Sequence, residues 1–320
     1  MSTMPKGPSE LASHGWGTDV ARVLARPSVA VVAHAGKSLG GGLPALREAL
    51  ESAGFAQPIW FEVNKSKKAP KKVRQARKDG ADLVFVWGGD GMVQQCINTL
   101  AGSDATLAIM PAGTANLLAT NLGIPKDLDA AVDVGLHGAR RRLDTGAVNG
   151  EHFAVMAGAG FDALMIRDAP RKLKDRVGKL AYLWTGARNL RASRVKMRIK
   201  VDGEKWFDGK ASCVLVGNVG KLFGGITAFE NAEPDDGILE LGVVTASGVW
   251  QWTRALARTA SGNAERSPFV STTRGAKFDI RVRDPRPYEL DGGERKPVKH
   301  LRVDVVPASI TIAVPDPSAA

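Results

Sequence analysis

In the first half of the chain, short apolar runs alternate with segments whose apolar residues recur at helical spacing. Strands are predicted at four of these runs: Val29–Ala33, 57–63, 81–87 and Leu107–Met110. Helices are predicted between them, as at 43–55, where Gly54 supplies a stop. Because the strands are continuous apolar runs, both faces of their sheet should be covered, which is typical of a parallel α/β sheet.

The pattern changes near Asp144, after which apolar residues alternate with charged ones. Residues 195–201 alternate in this way and are followed by a turn signal at Asp202 and Gly203. Further short strands are predicted at ILELGVV, KFDIRVR, YELDGG, LRVDVV and SITIAV. The sequence therefore predicts three parts: a loose tail (1–27), an α/β domain with a parallel sheet (28–144) and a β-rich, mostly antiparallel domain (145–320). The cleft between the two domains is the natural active site.

Composition and charge narrow the classes of partner. The 320 residues carry a formal net charge of +11, which favours anionic partners such as a membrane surface or a phosphorylated small molecule. Aromatic residues make up only 6%, and no basic run is interleaved with them, which argues against nucleic acid. Cys96 and Cys213 lie in apolar contexts and are predicted to be buried thiols. Without an apolar leader or a window of about 20 apolar residues, a cytoplasmic location is expected.

Three glycine-containing loops follow predicted strands: HAGKS after the first, GGDGM after the third and PAGTAN after the fourth. Ligands of an open parallel sheet bind beyond the carboxyl ends of its strands. Glycines let backbone N–H groups approach a phosphate, and the helix after each loop adds its positive end. The loops therefore predict a cradle for nucleotide phosphates. GKS does not end a P-loop, because the first glycine of that motif would fall at Val31.

Asp90 lies within the GGDGM loop, where a carboxylate would repel a phosphate unless a cation lay between them. Mg²⁺ binds carboxylate and phosphate oxygens together, so this loop favours ATP with Mg²⁺ as its ligand. On pattern alone, a tight strand-to-helix turn is the alternative for Gly88, Gly89 and Gly91.

Five motifs in order, GGDGMVQQCIN, PAGTANLLATNLGIP, GAGFDA, PDDGILEL and LDGGE, resemble those of the diacylglycerol kinase catalytic-domain family. That family includes soluble bacterial lipid kinases and sphingosine kinases, and the resemblance covers about residues 28–315. NAD kinases share the fold and the GGDG sequence, but the later motifs match the lipid kinases instead. The resemblance implies an NAD kinase/diacylglycerol kinase-like fold and ATP-dependent phosphorylation of a lipid hydroxyl. Dimers occur in the family, so a homodimer is one arrangement to expect.

The resemblance also implies site residues. Those implied to bind ATP are His34, Gly36, Lys37, Gly88, Gly89, Asp90, Gly91, Gln95, Gly113, Thr114 and Asn116. A structural Mg²⁺ site is implied at the Asp236 carboxylate with the carbonyls of Glu233 and Ile238. The LDGGE motif resembles the one with the catalytic acid, here Asp291 or Glu294, since an extra glycine separates them. Such a carboxylate accepts the proton of the lipid hydroxyl. On sequence alone, without the resemblance, an acid of a hairpin turn is the better interpretation of Asp291.

Some positions depart from the family pattern and keep a second class of function open. Met92 and Gln95 stand where the family usually has Thr and Glu, and Ala33-His34 replace an Asn-Pro pair. The alternative to a kinase is therefore a catalytically weak or inactive protein of the same fold that binds nucleotide or lipid. The acids retained in the motifs favour the kinase: Asp90, Asp236, Asp291 and Glu294.

A lipid substrate requires contact with a membrane. Residues 169–191 combine an apolar helical stripe with basic neighbours, and further basic clusters lie at 65–74 and 140–142. Each basic residue near an anionic surface contributes on the order of 1 kcal/mol, so reversible peripheral binding is expected. Solvated helix faces are the alternative for each cluster. The lipid is not identified by the sequence, but it would need an apolar slot in the β-rich domain, with the slot expected near Phe161, Trp206 and Phe223.

Overall fold

The computed structural model describes residues 27–160, 194–221, 227–248, 250–252, 254–255 and 267–317. Its N-terminal part alternates strand and helix, as predicted. The strands are β1 (Val29–His34), β2 (Ile59–Val63), β3 (Leu83–Gly88) and β4 (Thr106–Pro111). The helices are α1 (Gly42–Ser52), α2 (Ala69–Lys78), α3 (Asp90–Leu100), α4 (Leu117–Asn121) and α5 (Leu128–His137), with a 3-10 turn at Ser66–Lys68.

The four N-terminal strands form a parallel sheet in the order β2-β1-β3-β4, with an apolar core on each face. One core joins alternate strand residues, such as Val31 and Phe85, to α1 and α5. The other joins the intervening residues, such as Val32 and Val86, to α2, α3 and α4. This double covering explains the continuous apolar runs, and the predicted parallel α/β arrangement is confirmed.

The C-terminal part is an antiparallel array. Its strands are β5 (Ala139–Val148), β6 (Glu151–Phe153), β7 (Met156–Ala159), β8 (Val195–Val201), β9 (Glu204–Ala211), β10 (Cys213–Gly217), β11 (Leu239–Val244), β12 (Val270–Gly275), β13 (Lys277–Leu290) and β14 (Gly293–Val314). Buried and exposed residues alternate along β8, and the β8–β9 turn has positive φ at Asp202 (49°) and Gly203 (91°). The predicted hairpin and the β-rich class are thereby confirmed. Both cysteines are buried and free, also as predicted.

The prediction of separate short strands near the C-terminus is wrong. KFDIRVR and the first three residues of YELDGG belong to one strand, β13, while LRVDVV and SITIAV both lie in β14. Register shifts interrupt the ladders between Arg281 and Tyr288 and between Val306 and Ile310. Prolines fall at these shifts, and since proline cannot donate to a ladder, it breaks the alternating pattern without ending the strand.

The last strand returns to the N-terminal sheet. Thr311 and Ile312 of β14 pair in parallel with Thr106 and Leu107 of β4. The described strands therefore form one 14-stranded sheet. The predicted domain boundary at residue 144 falls within β5, which pairs with β14 on both sides of that point.

Candidate active site

The three loops expected to hold phosphates leave neighbouring strands at one edge of the sheet. β1 pairs with β3 and β3 with β4, and Gly88 at the end of β3 is in register with Pro111 at the end of β4. The loops therefore start side by side, where ligands of parallel sheets bind. The predicted nucleotide residues lie in these loops, in the strand ends before them and in the first two turns of α3.

Glycine allows the second and third loops to contact each other. A β-carbon built on Gly113 would lie 2.4 Å from the Cα of Gly89 and 2.5 Å from Oδ1 of Asn116. A β-carbon on Gly88 would lie 2.6 Å from the Cβ of Met92. Close approach of backbone to backbone thus explains Gly89 and Gly113, while Gly88 makes room for a buried side chain.

The Asp90 carboxylate fastens the second loop to the third. Its Oδ2 accepts a hydrogen bond from the backbone N–H of Asn116 (3.0 Å), and its Oδ1 accepts one from Leu117 (2.5 Å). Burial raises the pKa of Asp90, and these backbone donors act in the opposite direction. Asp90 therefore orients the start of α4, and a cation at this carboxylate would use its remaining lone pairs.

Asn116 closes the third loop on itself from a left-handed backbone conformation (φ 49°). Its Oδ1 accepts from the N–H of Gly113 (2.9 Å), while its Nδ2 donates to the carbonyls of Pro111 (2.8 Å) and Gly113 (2.9 Å). The side chain is buried. The Asn116 side chain therefore holds the conformation of the third loop. Thr114, in the same loop, is exposed.

The first loop is a tight turn held by two side chains. The N–H of Gly36 donates to Nδ1 of His34 (3.1 Å), and the indole N–H of Trp87 donates to the carbonyl of Lys37 (3.0 Å). The Lys37 side chain is exposed beyond this turn. His34 therefore holds its own loop, in place of the rigid proline that the family pattern usually has there.

Met92 and Gln95 occupy different environments on α3. Met92 is 1% exposed and belongs to the core under the sheet, so it offers no hydroxyl or other polar group to a ligand. Gln95 is half-buried, and its Nε2 donates to Oε1 of Gln94 (2.8 Å). The two departures from the family pattern thus replace polar or charged contacts with packing and a neutral hydrogen bond.

Asp291 lies in the two-residue turn between β13 and β14, with φ of 46° there and 79° at Gly292. Its carboxylate is 3% exposed: Oδ2 accepts from the N–H of Ala154 (2.9 Å), and Oδ1 accepts from Val155 (2.9 Å) and Met156 (2.8 Å). Burial, and to a smaller extent the charge of Asp90, raises the pKa of Asp291 to about 6 against these donors. The hairpin acid is thus within electrostatic reach of the nucleotide loops.

A second acid of this hairpin, Glu289, was not expected from the motifs. It is 6% exposed, and within the described residues its Oε1 has no hydrogen-bond partner. Burial, and then the charge of exposed Glu294 across the hairpin, raises its pKa to about 7. Glu289 could have been identified from the sequence. Side chains two positions apart on a strand point to the same face of the sheet, and Glu289 lies two positions before Asp291.

In the PDDG loop, where Mg²⁺ was expected, both aspartates are paired with arginine side chains. Oδ1 of Asp236 accepts from the N–H of Ile238 (3.0 Å), and its Oδ2 accepts from Nη2 of Arg274 (2.7 Å). The preceding Asp235 accepts two hydrogen bonds from Arg141, both of 2.7 Å. Unlike the neutral backbone donors on Asp90, this guanidinium is charged, so a divalent cation on Asp236 would be repelled by Arg274. The donor set therefore does not fit a resident Mg²⁺. Among the described residues, no three acidic, His or Cys side chains could hold a metal together.

The basic clusters expected to contact a membrane differ in exposure and in their hydrogen-bond partners. Cluster 65–74 is mostly exposed and follows the carboxyl end of β2, on the same edge as the nucleotide loops. Arg140 donates to carbonyls at the end of α5, and Arg141 pairs with Asp235, so both have structural roles. Segment 169–191 lies outside the described residues, as do Phe161 and Phe223. Trp206 packs at the edge of the C-terminal core.

Of the helices in the described ranges, none has both the length and the apolar character needed to cross a bilayer.

The chain is similar in sequence and in fold to known lipid kinases. The diacylglycerol kinase catalytic domain model matches residues 29–148, and the YegS C-terminal NAD kinase beta sandwich-like domain matches residues 155–314. The lipid kinase YegS of Escherichia coli (strain K12) is 30% identical over 253 residues, which cover 77% of this chain and 83% of that protein.

Further similarity extends to two proteins from Bacillus. The diacylglycerol kinase of Bacillus subtilis (strain 168) is 32% identical over 219 residues, covering 66% of this chain and 71% of that protein. A crystal structure of a diacylglycerol kinase from Bacillus anthracis str. Sterne superposes with a TM-score of 0.72 at 23% identity, covering 92% of this chain and 98% of that one. The structural match shows a shared fold.

Proposed function

The chain belongs to the diacylglycerol kinase catalytic-domain family, and from that premise we propose that it transfers the γ-phosphoryl group of MgATP to a hydroxyl of diacylglycerol or a related lipid. The position of Asp291 carries the proposal. This buried carboxylate, whose pKa is raised to about 6, is held by the amides that follow β6. Strand β6 is in turn hydrogen-bonded to α3, the helix that begins at Asp90. A candidate base thus stands next to the candidate nucleotide site.

ATP is proposed to bind across the ends of β1, β3 and β4. The packing of Gly89 on Gly113 supports a site in which backbone N–H groups, rather than side chains, approach the phosphates. The N-terminus of α3 adds a positive potential at the same edge. The remaining proposed contacts are His34, Gly36, Lys37, Gly88, Gly91, Gln95, Thr114 and Asn116.

In the proposed reaction, Asp291 accepts the proton of the lipid hydroxyl while the hydroxyl oxygen bonds to the γ-phosphorus. The bond from the γ-phosphorus to the bridging oxygen breaks, and ADP leaves. Oδ2 of Asp291 accepts one hydrogen bond, from Ala154, and so keeps a lone pair for this proton. With a pKa of about 6, Asp291 is deprotonated at neutral pH yet more basic than an ordinary Asp, which suits a general base. Exposed Glu294 is the alternative base.

Mg²⁺ enters the proposal as part of the nucleotide substrate and supplies charge neutralisation to the phosphates. Asp90 is the carboxylate best placed to face it, because it lies at the start of α3 between the two glycine loops. The PDDG loop is given no catalytic role, since its acids are paired with arginine.

The proposed partners follow from the substrate. We propose reversible attachment to an anionic membrane surface, supported by the exposed lysines at 65–74 on the nucleotide edge. Nucleic acid is not proposed as a partner. A cytoplasmic location and a homodimer remain predictions from the sequence and its resemblance.

The test is transfer of label from γ-labelled ATP with Mg²⁺ into a total lipid extract in mixed micelles. Wild type should label a lipid, and the rate should rise with pH through about 6 as Asp291 loses its proton. Asp291→Asn should abolish labelling while ATP binding, followed by calorimetry, persists. Glu294→Gln should retain most of the activity. The reverse pattern would assign the base to Glu294.

The second candidate function is a nucleotide- or lipid-binding protein in a kinase's fold. Burial of Met92 and the neutral Gln95 favour it, because both positions lack the polar groups usual in the family. Wild type that binds ATP but labels no lipid would select this function.

A further inference from the structure

Arg295 follows Glu294 on β14 and binds groups from both parts of the chain. Its Nε donates to Oε2 of Glu151 (2.8 Å), and its Nη2 pairs with Oε1 of the same carboxylate. Nη1 donates to the carbonyls of Gly293 (2.9 Å) and Glu294 (3.2 Å), and Nη2 also reaches Oε1 of Gln94 (3.4 Å). Every nitrogen of the guanidinium is engaged, so none is left to bind a phosphate.

Helix α3 binds the same short strand, β6, that Arg295 reaches. Nε2 of Gln94 donates to the carbonyl of His152 (2.7 Å), and Oδ1 of Asn98 accepts from the N–H of His152 (2.9 Å). Gln94 is 2% exposed. Because α3 starts at Asp90, the helix behind the nucleotide loop is fixed to β6 by two side chains one turn apart.

Strand β6 leads directly to the amides that hold the candidate base. Glu151 and His152 are followed by Ala154, Val155 and Met156, whose N–H groups bind Asp291. The hydrogen bonds therefore form a closed network. Helix α3 binds β6, the amides after β6 bind Asp291, and Arg295, on the same hairpin as Asp291, binds back to Glu151 and Gln94. Arg295 closes this network by joining the hairpin to β6 and α3.

We propose that Arg295 is a positioning residue for phosphoryl transfer, which holds the hairpin with the candidate base in place against β6 and α3. The inference rests on the proposed kinase function. It requires the planar fork of arginine, because only that group spans both oxygens of Glu151 while binding two carbonyls. A shift of about 1 Å in a reacting group can cost about 100-fold in rate, so even a small movement of the hairpin matters.

The positive charge of Arg295 also acts on Asp291. The pKa of Arg295 is raised first by its hydrogen bond with Glu151 and then also by the charges of Tyr288 and Asp291. Because this coupling is reciprocal, Arg295 lowers the pKa of Asp291. The other ionisable groups around the hairpin are mostly acids: Asp90, Glu151, Glu289, Glu294, Tyr288 and His152. Removing the cation should therefore raise the pKa of Asp291.

Two substitutions separate geometry from charge. Arg295→Gln removes both, so kcat should fall by about tenfold to 100-fold, and the acidic limb of the pH–kcat profile should move to higher pH. Arg295→Lys keeps the charge without the fork, so kcat should fall while the acidic limb stays in place. In both variants KM for ATP should stay within about threefold. Lys299→Gln, an exposed cation on the same strand, is the matched control and should behave as wild type.

The outcomes distinguish this inference from the kinase proposal. An active wild type with normal kcat and an unshifted limb in Arg295→Gln would overturn the positioning role and leave the kinase standing. A wild type that phosphorylates no lipid would overturn the kinase instead. Amide hydrogen exchange at Ala154–Met156 then decides the role of Arg295 as a structural tie: faster exchange in Arg295→Gln than in Lys299→Gln supports it, and equal exchange overturns it.

Discussion

Replacing Glu289 by Gln should change the stability of the protein in a pH-dependent way. Glu289 is 6% exposed, and Oε1 has no hydrogen-bond partner in the part of the chain that the structure describes. Burial, followed by the charge of Glu294, raises its pKa from 4.5 to about 7. The folded state therefore favours the protonated carboxyl. That contribution to stability is complete below pH 4.5 and is lost as the pH rises through 7.

The size of the effect follows from the two pKa values. A rise from 4.5 to about 7 corresponds to about 3 kcal/mol of unfolding free energy lost between pH 4 and pH 8. Glutamine has the same shape but cannot ionise, so the variant escapes this loss. Its buried amide costs about 1–3 kcal/mol at every pH, which shifts the whole curve without changing its slope.

Urea unfolding at pH 4.5 and pH 8 measures the difference between variant and wild type. We expect that difference to move by about 3 kcal/mol in favour of Glu289→Gln between the two pH values. Glu204→Gln removes an exposed carboxylate on β9 and should show no such change. A difference that is the same at both pH values would refute the raised pKa of Glu289 in the folded protein.

Three further predictions concern the nucleotide loops, the PDDG loop and the basic cluster. Gly113→Ala should weaken ATP binding in calorimetry by about tenfold or more because its β-carbon meets Gly89. Glu51→Ala, an exposed position at the far end of α1, is the control and should bind ATP normally. EDTA should leave the melting temperature of wild type unchanged, and a fall on chelation would show that the protein holds a structural metal. Arg274→Gln should lower stability by no more than about 1 kcal/mol, since its ion pair with Asp236 is half exposed. Lys67→Gln with Lys71→Gln should weaken binding to phosphatidylglycerol vesicles roughly 30-fold, and no change would place the membrane contact elsewhere.

The arrangement of the nucleotide loops was predictable because it depends on local patterns. Continuous apolar runs identified a sheet covered on both faces, and the direction of parallel strands then put their glycine loops at one edge. The contact of Gly89 with Gly113 is a consequence of that neighbourhood. The two-residue turn at Asp291 was likewise readable from its Asp-Gly pair.

The partners of the charged residues were not predictable, because they join distant parts of the chain. Arg274 meets Asp236 only after β12 pairs with β11, and Arg295 meets Glu151 across 144 positions in sequence. Neither pair has the helical or alternating spacing from which sequence patterns are read. For a related reason, the two long strands β13 and β14 could not be predicted across their prolines. Each strand continues past its prolines because it pairs with other strands on both sides of them, and this pairing is tertiary.

The 22-residue strand β14 ties the order of synthesis to the order of folding. Its first residue follows the turn that holds Asp291, the candidate base, while Thr311 and Ile312 cover the edge of β4. During translation, β4 (Thr106–Pro111) therefore remains an open edge until Thr311 and Ile312 have left the ribosome. A fragment that stops after β5 would carry this exposed edge permanently and should aggregate. The sheet with the three glycine loops is thus completed by β14, the same strand that begins at the turn of the candidate base.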